Sequence, residues 1–239
     1  MRLLLGSGGL RTPDRLRAWL AAWRAFVEPG ARICFVPFAL RDQDGYLLRA
    51  RKMLEPLGLH VEGLHRARDP VAAIRAAEVI YVGGGNTFRL LDTLYRKRLL
   101  APIRARVRAG ARFVGVSAGS NVAGPTIMTT NDMPIVEPES LRALGLVPFQ
   151  INPHYFDGAV HYRRRGRLIP YGGETRDDRL REFHEMNATP VLALREGEIL
   201  RIEGPRARLV GVDGARLFLR GQKPRDLRPG ADVTRLLRR

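Results

Sequence analysis

Apolar and polar positions along this chain follow two alternating patterns. Short, largely apolar runs at 2–5, 32–38, 78–82 and 113–116, with a shorter mixed run at 60–64, read as strands. Between them lie longer stretches with helical spacing. In 13–28, Leu16, Leu20 and Trp23 share one face with Trp19 and Phe26. Thr12 stands at the N-cap, Pro13 at the first helical position, and Pro29-Gly30 ends the run. Further helices are expected at 45–57, at 71–77 after Asp69-Pro70, from Thr87 through Leu90, Leu91 and Leu94, and at 99–109 before Gly110. Strand followed by helix, repeated, predicts an α/β class: a doubly wound, mostly parallel sheet with helices on both faces. After residue 150 only one helix, 174–186, is expected. The short runs at 191–194, 198–202, 207–210 and 215–219 are separated by Gly-bearing turns and read as late β-hairpins at one edge of the sheet. No repeat and no linker interrupts residues 1–239, which read as a single domain.

One strand end carries chemistry. The run Phe113-Val114-Gly115-Val116 leads into Ser117-Ala118-Gly119-Ser120-Asn121, an apolar strand followed by Gly-Val-Ser-Ala-Gly and a helix-compatible segment. This is the layout of a nucleophile elbow. Gly115 and Gly119 flank a turn too cramped for side chains, the Ser hydroxyl stands exposed, and the Ala118 N–H points at whatever the Ser attacks. A Gly-rich turn with an incidental Ser would have the same local sequence.

Composition narrows the setting. The formal charge is +17, and Lys occurs only at 52, 97 and 223, so every other one of the 41 basic residues is Arg. Such a surplus suggests nucleic acid. The arginines are spread along the chain, however, with no aromatic-rich RNA motif, so nucleic acid is not the expected partner. A positive field would still draw acidic small molecules. Cys34, the single cysteine, sits in an apolar run and reads as core. It permits no disulfide within the chain. No apolar run reaches the ~20 residues of a membrane span, and three leucines after Met1-Arg2 are too few for a signal peptide. A cytoplasmic protein without membrane contact is expected. The stretch 163–167 and the tail 235–239, both Arg-rich, read as solvated surface.

A nucleophilic Ser needs a base, and the base a group to orient it. Of the histidines at 60, 65, 154, 161 and 184, His154 stands out. It follows Phe149-Gln150-Ile151-Asn152-Pro153, an apolar strand end, and so emerges at a sheet edge as Ser117 does. Gly83-Gly84-Gly85-Asn86 also lies between a strand and a helix. Its bare backbone can donate to an oxyanion or cradle a phosphate. The lysine and spacing of a Walker loop are missing.

Five blocks occur in one order: Gly83-Gly84-Gly85-Asn86-Thr87-Phe88, Gly115 to Asn121, Thr129-Thr130-Asn131-Asp132-Met133-Pro134-Ile135-Val136, Phe149 to His154, and Gly173-Glu174-Thr175-Arg176. Together they resemble the peptidase E (α-aspartyl dipeptidase) family of serine peptidases, related in fold to class I glutamine amidotransferases. The resemblance spans most of 1–200. It implies hydrolysis of dipeptides with an N-terminal Asp, with no metal and no cofactor, by Ser117 and His154. The third member is Glu196 or Asp132, and Glu196 is the preferred one; Asp132 would then hold the loop or the substrate amine. Gly85 and Ala118 would form the oxyanion hole. Arg176 would read the substrate carboxylate, with Asn86 as a further substrate contact. A surface Arg176 paired to Asp177 or Asp178 is the competing account. The arginines between His154 and Gly173 depart from the family pattern and leave aliphatic dipeptides open as substrates. A same-fold peptidase of cyanophycin-like polymers, an acyl-peptide hydrolase, and an inactive Arg-rich nucleic-acid-binding homologue are the other readings. A pocket of dipeptide size is compatible with a homodimer that lends a residue.

Overall fold

The structure, a computed structural model, describes residues 1–158, 160–170 and 172–238. The chain begins with β1 (Arg2–Gly6), α1 (Pro13–Phe26), β2 (Arg32–Val36), α2 (Gln43–Leu54), β3 (His60–Gly63), α3 (Pro70–Ala76), β4 (Val79–Val82), α4 (Thr87–Arg96), α5 (Leu100–Arg108) and β5 (Arg112–Val116). The one-turn helix α6 (Ala118–Asn121) follows, and a long irregular segment leads to β6 (Gln150–Tyr155). Then come β7 (His161–Arg164), β8 (Arg167–Pro170), α7 (Arg176–Met186), β9 (Val191–Arg195), β10 (Ile199–Glu203), β11 (Arg206–Leu209), β12 (Ala215–Phe218) and β13 (Arg225–Leu227).

Seven strands form the main sheet in the order β11-β10-β1-β5-β4-β2-β3. The five from β1 to β3 are mutually parallel, and β10 joins antiparallel to β1. Alternate side chains leave on opposite faces. Leu3 and Leu5, Ile80 and Val82, and Phe113 pack with α4 and α5 through Leu90, Leu94, Ile103 and Val107. Leu4, Phe35, Tyr81 and Val114 pack on the other face with α1 and α2. The buried face of α1 is Trp19, Ala22, Trp23 and Phe26, while Leu16 and Leu20 are only half-buried. That face is rotated from the one the sequence predicts, because Trp19 lies against Gly6 of β1 and Trp23 against Tyr81 of β4. The Thr12 side chain makes no cap bond; Pro13 alone marks the start. Helix α2 starts two residues earlier than expected because Asp42 accepts from the Gly45 N–H at 2.8 Å.

The late strands divide between two sheets. The β10–β11 hairpin lies at the edge of the main sheet, as expected. β9, β12 and β13 join β6 in a second sheet of order β13-β12-β9-β6, in which β6 and β9 run parallel. One face of this sheet closes the main core through Ile151, Leu192 and Leu194. The other, with Val191, Ala193 and Phe218, lies under Leu180 of α7. Residues 163–167, expected as solvated surface, are exposed and belong to a hairpin of β7 and β8 whose turn, Arg165-Gly166, has φ of 48° and 78°. In the tail, Leu236 is buried in a 3-10 turn, and Arg239 lies outside the described residues. Among the described residues no helix is long and apolar enough to cross a membrane.

Candidate active site

β5 delivers Ser117 to the C-terminal edge of the main sheet with φ 55° and ψ −116°, a conformation L side chains rarely adopt. The Ser117 N–H donates to the Gly6 carbonyl at 2.9 Å, and the Ser120 hydroxyl donates to the same oxygen at 2.7 Å. The elbow is thus tied to the end of β1. A Cβ on Gly115 would lie 2.5 Å from the Gly119 carbonyl oxygen, and one on Gly119 would collide with the Val82 carbonyl. Both glycines are therefore required by contact.

His154 stands where the parallel pairing of β6 with β9 shifts register, between Asn152 and Tyr155, and its φ is 58°. The irregularity turns the ring toward the elbow: Nε2 lies 2.6 Å from Ser117 Oγ, and Nδ1 lies 2.7 Å from Glu196 Oε1. A carboxylate only accepts, so Nδ1 carries the proton and Nε2 accepts from the Ser hydroxyl. Glu196 begins the turn after β9. Its hydrogen bond with His154 holds its carboxyl below the usual carboxylate range, aided by the Arg15 charge and opposed by partial burial.

Sequence reasoning missed the support of this pair. Ser7, fully buried, accepts from the His154 backbone N–H at 2.8 Å and donates to the Leu194 carbonyl at 3.1 Å. Asn131 Nδ2 donates to the Pro153 carbonyl at 2.7 Å. A Cβ on Gly8 would stand 2.6 Å from His154 Cε1, and one on Gly9 2.6 Å from Glu196 Oε2. The Gly6-Ser7-Gly8-Gly9 turn was legible as a turn. Its two bare residues facing imidazole and carboxylate were the only hint of more.

Asp132, the other expected carboxylate, does not reach His154, whose ring nitrogens are both taken. Its Oδ2 accepts from the Thr87 N–H at 2.8 Å, the Thr87 hydroxyl at 2.5 Å and Thr130 Oγ1 at 3.2 Å. It holds the first turn of α4. Asn86, expected as a substrate contact, also bonds within the protein. Its Oδ1 caps α4 by accepting from Arg89 N at 3.0 Å, and its Nδ2 donates to the Met133 carbonyl at 2.8 Å, so its side chain shapes the loop.

The glycine loop lies against the elbow, with a Cβ on Gly84 only 2.9 Å from Ser117 Cβ. The Gly83 N–H donates to the Val36 carbonyl at 3.1 Å and the Gly84 N–H to Tyr46 Oη at 2.7 Å. Two donors of a phosphate cradle are therefore spent. The Gly85 N–H has no acceptor among the described residues. The Ala118 N–H, at the first position of α6, has no acceptor within that helix.

Arg176, at the start of α7, lines a cavity of about 680 Å³ with Phe156, Val160, Pro170 and Gly172. Ser117 and His154 are not in its lining, but Phe156 is two residues beyond His154. The competing account of Arg176 fails. Asp177 accepts from Tyr155 Oη at 2.6 Å, and Asp178 caps Thr175 and pairs with Arg181 at 2.6 Å. Arg176 itself has no carboxylate within 4.0 Å among the described residues. Partial burial lowers its pKa, as does the charge of Arg179, while Asp132 and Glu174 raise it.

Cys34, His65 and His184 are engaged elsewhere in the fold. Burial pushes the Cys34 thiol up to about 12, so no thiolate forms near neutrality. His65 bonds Asp44, and His184 bonds the Asn187 carbonyl. Among the described residues no three His, Cys, Asp or Glu side chains converge to hold a metal.

Comparison with known proteins identifies the family. Peptidase family S51 matches residues 2–210. A peptidase E of Streptomyces coelicolor is 52% identical over 215 residues, covering 89% of this chain and 84% of that protein. A probable alpha-aspartyl dipeptidase of Drosophila melanogaster is 49% identical over 208 residues, covering 87% and 84%. In fold, the chain is similar to a putative peptidase E protein from Listeria monocytogenes EGD-e, with a TM-score of 0.64 at 24% identity over 88% of this chain and 98% of that one. It is also similar to a peptidase from an acI-B1 actinobacterium, with a TM-score of 0.66 at 18% identity over 97% and 96%. With nearly the whole α/β portion matched, the chain belongs to peptidase family S51.

Proposed function

We propose that this protein is a serine dipeptidase that hydrolyses Asp-Xaa dipeptides through an acyl-enzyme on Ser117. The observation that carries the reading is the continuous chain from Ser117 Oγ through the His154 ring to Glu196 Oε1, at 2.6 and 2.7 Å. Ser117 Oγ attacks the carbonyl carbon of the first residue as its proton passes to His154 Nε2. Glu196 faces the imidazolium that forms. The N–H groups of Ala118 and Gly85 stabilise the oxyanion. Collapse of the tetrahedral intermediate breaks the C–N bond, and the His154 proton leaves on the amine. Water then gives its proton to His154, attacks the ester and frees the acid, returning the proton to Ser117.

Specificity for Asp rests on Arg176. A partly buried guanidinium with no ion-pair partner among the described residues is suited to take a carboxylate from the substrate in two parallel hydrogen bonds. The name of the Drosophila relative supports the same substrate class. The test is a dipeptide panel comparing Asp-Leu, Asn-Leu, Glu-Leu, Ala-Leu and Leu-Leu, with Ser117→Ala as control. Cleavage of Asp-Leu well above the others, abolished in the control, is expected. Equal cleavage of Ala-Leu would reject the Asp specificity, and full activity of the control would reject the mechanism.

A further inference from the structure

Glu198 is fully buried, yet it is a carboxylate two residues from Glu196 and takes no part in the mechanism above. Its carboxylate accepts from three backbone N–H groups: Ile199 at 3.0 Å, Gly211 at 2.8 Å and Gly214 at 2.5 Å. The last two belong to the loop between β11 and β12. Burying a charge with only backbone donors is costly. An apolar side chain here would leave all three donors unpaired, so the carboxylate is what holds this loop.

Its neighbours show what the loop supports. The loop that Glu198 grips carries Asp213, which pairs with Arg15 Nε at 2.7 Å. The Arg15 stem lies against the turn that bears Glu196, since a Cβ on Gly197 would stand 2.5 Å from Arg15 Cγ. The Arg15 charge bears on the Glu196 carboxylate. On its other side, the Glu198 carbonyl accepts from the Ser7 N–H at 2.9 Å, and the Gly197 N–H donates to the Gly8 carbonyl at 2.9 Å. Ser7 in turn holds the His154 backbone. Through its carboxylate this one residue fixes the loop that props Arg15 against Glu196. Through its carbonyl it fixes the turn that holds His154.

We propose that Glu198 is a positioning residue that sets the Glu196–His154 contact, acting from both sides of the pair without touching substrate. This rests on the assignment of Ser117, His154 and Glu196 above. Glu198→Gln keeps the volume and puts an amide donor against converging N–H groups. The loop must then shift, and the contact at Glu196 with it.

The test is a double-mutant cycle on the full chain, read as kcat and KM for Asp-Leu well below the melting temperature of every variant. Glu198→Gln is expected to lower kcat about tenfold with KM little changed, since the geometry of the reacting groups is altered and not the substrate contacts. In a Glu196→Gln background the same substitution should cost no more than about twofold, because the contact it serves is already gone. Asp213→Asn, at a half-exposed position, should show a smaller loss that also vanishes in that background, and it serves if Glu198→Gln does not fold. A tenfold loss persisting in the Glu196→Gln background, or a fall in melting temperature with kcat intact, overturns the proposal. If Glu196→Gln alone leaves kcat unchanged, the triad assignment has failed instead.

Discussion

At the scale of single residues, the site turns on which carboxylate faces His154. The sequence carries two candidates and cannot rank them by spacing, because the contact joins segments over forty positions apart in the chain. Ser117 and His154 were legible for a physical reason: each follows an apolar run that must end at the rim of a sheet. The structure separates Glu196 from Asp132 by their partners. Glu196→Gln removes the charge that faces the imidazolium and puts an amide donor where it favours the wrong imidazole tautomer, and should lower kcat by about 10⁴-fold. Asp132→Asn should leave kcat nearly intact, while Asp132→Ala should destabilise the protein by about 1 kcal/mol through the lost cap on α4, measured by denaturant unfolding. Arg176→Ala should raise KM for Asp-Leu at least tenfold, by about the 1.4 kcal/mol that such a factor requires, and leave Ala-Leu cleavage unaltered. Arg176→Lys should recover only part of the loss, since an ammonium cannot match the two-point geometry.

At the scale of elements, turns rather than strands set the precision. The 6–9 turn after β1 was visible in the sequence, but its role was not. That role depends on β1 lying between β5 and β10, which brings the turn beside Ser117, His154 and Glu196 at once. Gly8 is the sharpest probe, with φ of 144° and an absent side chain facing His154 Cε1. Gly8→Ala should push the ring off its line with Ser117 and lower kcat by about 10²-fold, in a protein whose far-UV circular dichroism is unchanged. An active Gly8→Ala enzyme would mean that the imidazole has room to spare. The register shift in β6 was illegible for a related reason: Asn152-Pro153-His154 reads as a plain strand end until its pairing with β9 is known.

At the scale of the molecule, the repeated strand-helix pattern was enough to give the main sheet and its two helical faces. The second sheet was hidden, because its pairing of β6 with β9 crosses a hairpin and a helix, and short apolar runs do not say which sheet they join. Acid stability is also a property of the whole. Glu196 and Asp157 have folded pKa values held below their usual 4.5 and 3.8 by hydrogen bonds to His154 and Arg195. Their stabilisation is present above those usual values and is lost as pH falls through the lower folded ones. Glu198, raised by burial, acts oppositely, since the folded state takes up its proton first. The melting temperature should therefore hold near neutrality and fall below about pH 4, with a shallower decline in Glu196→Gln. An equal decline in that variant would show that Glu196 contributes nothing.

Ser117 rides on one sheet, while His154 and Glu196 ride on the other. Any slippage along this seam would disarm the enzyme before either half melts. Turnover thus doubles as an alignment gauge, and on gentle heating it should fade while the bulk amide signal still reports a folded chain.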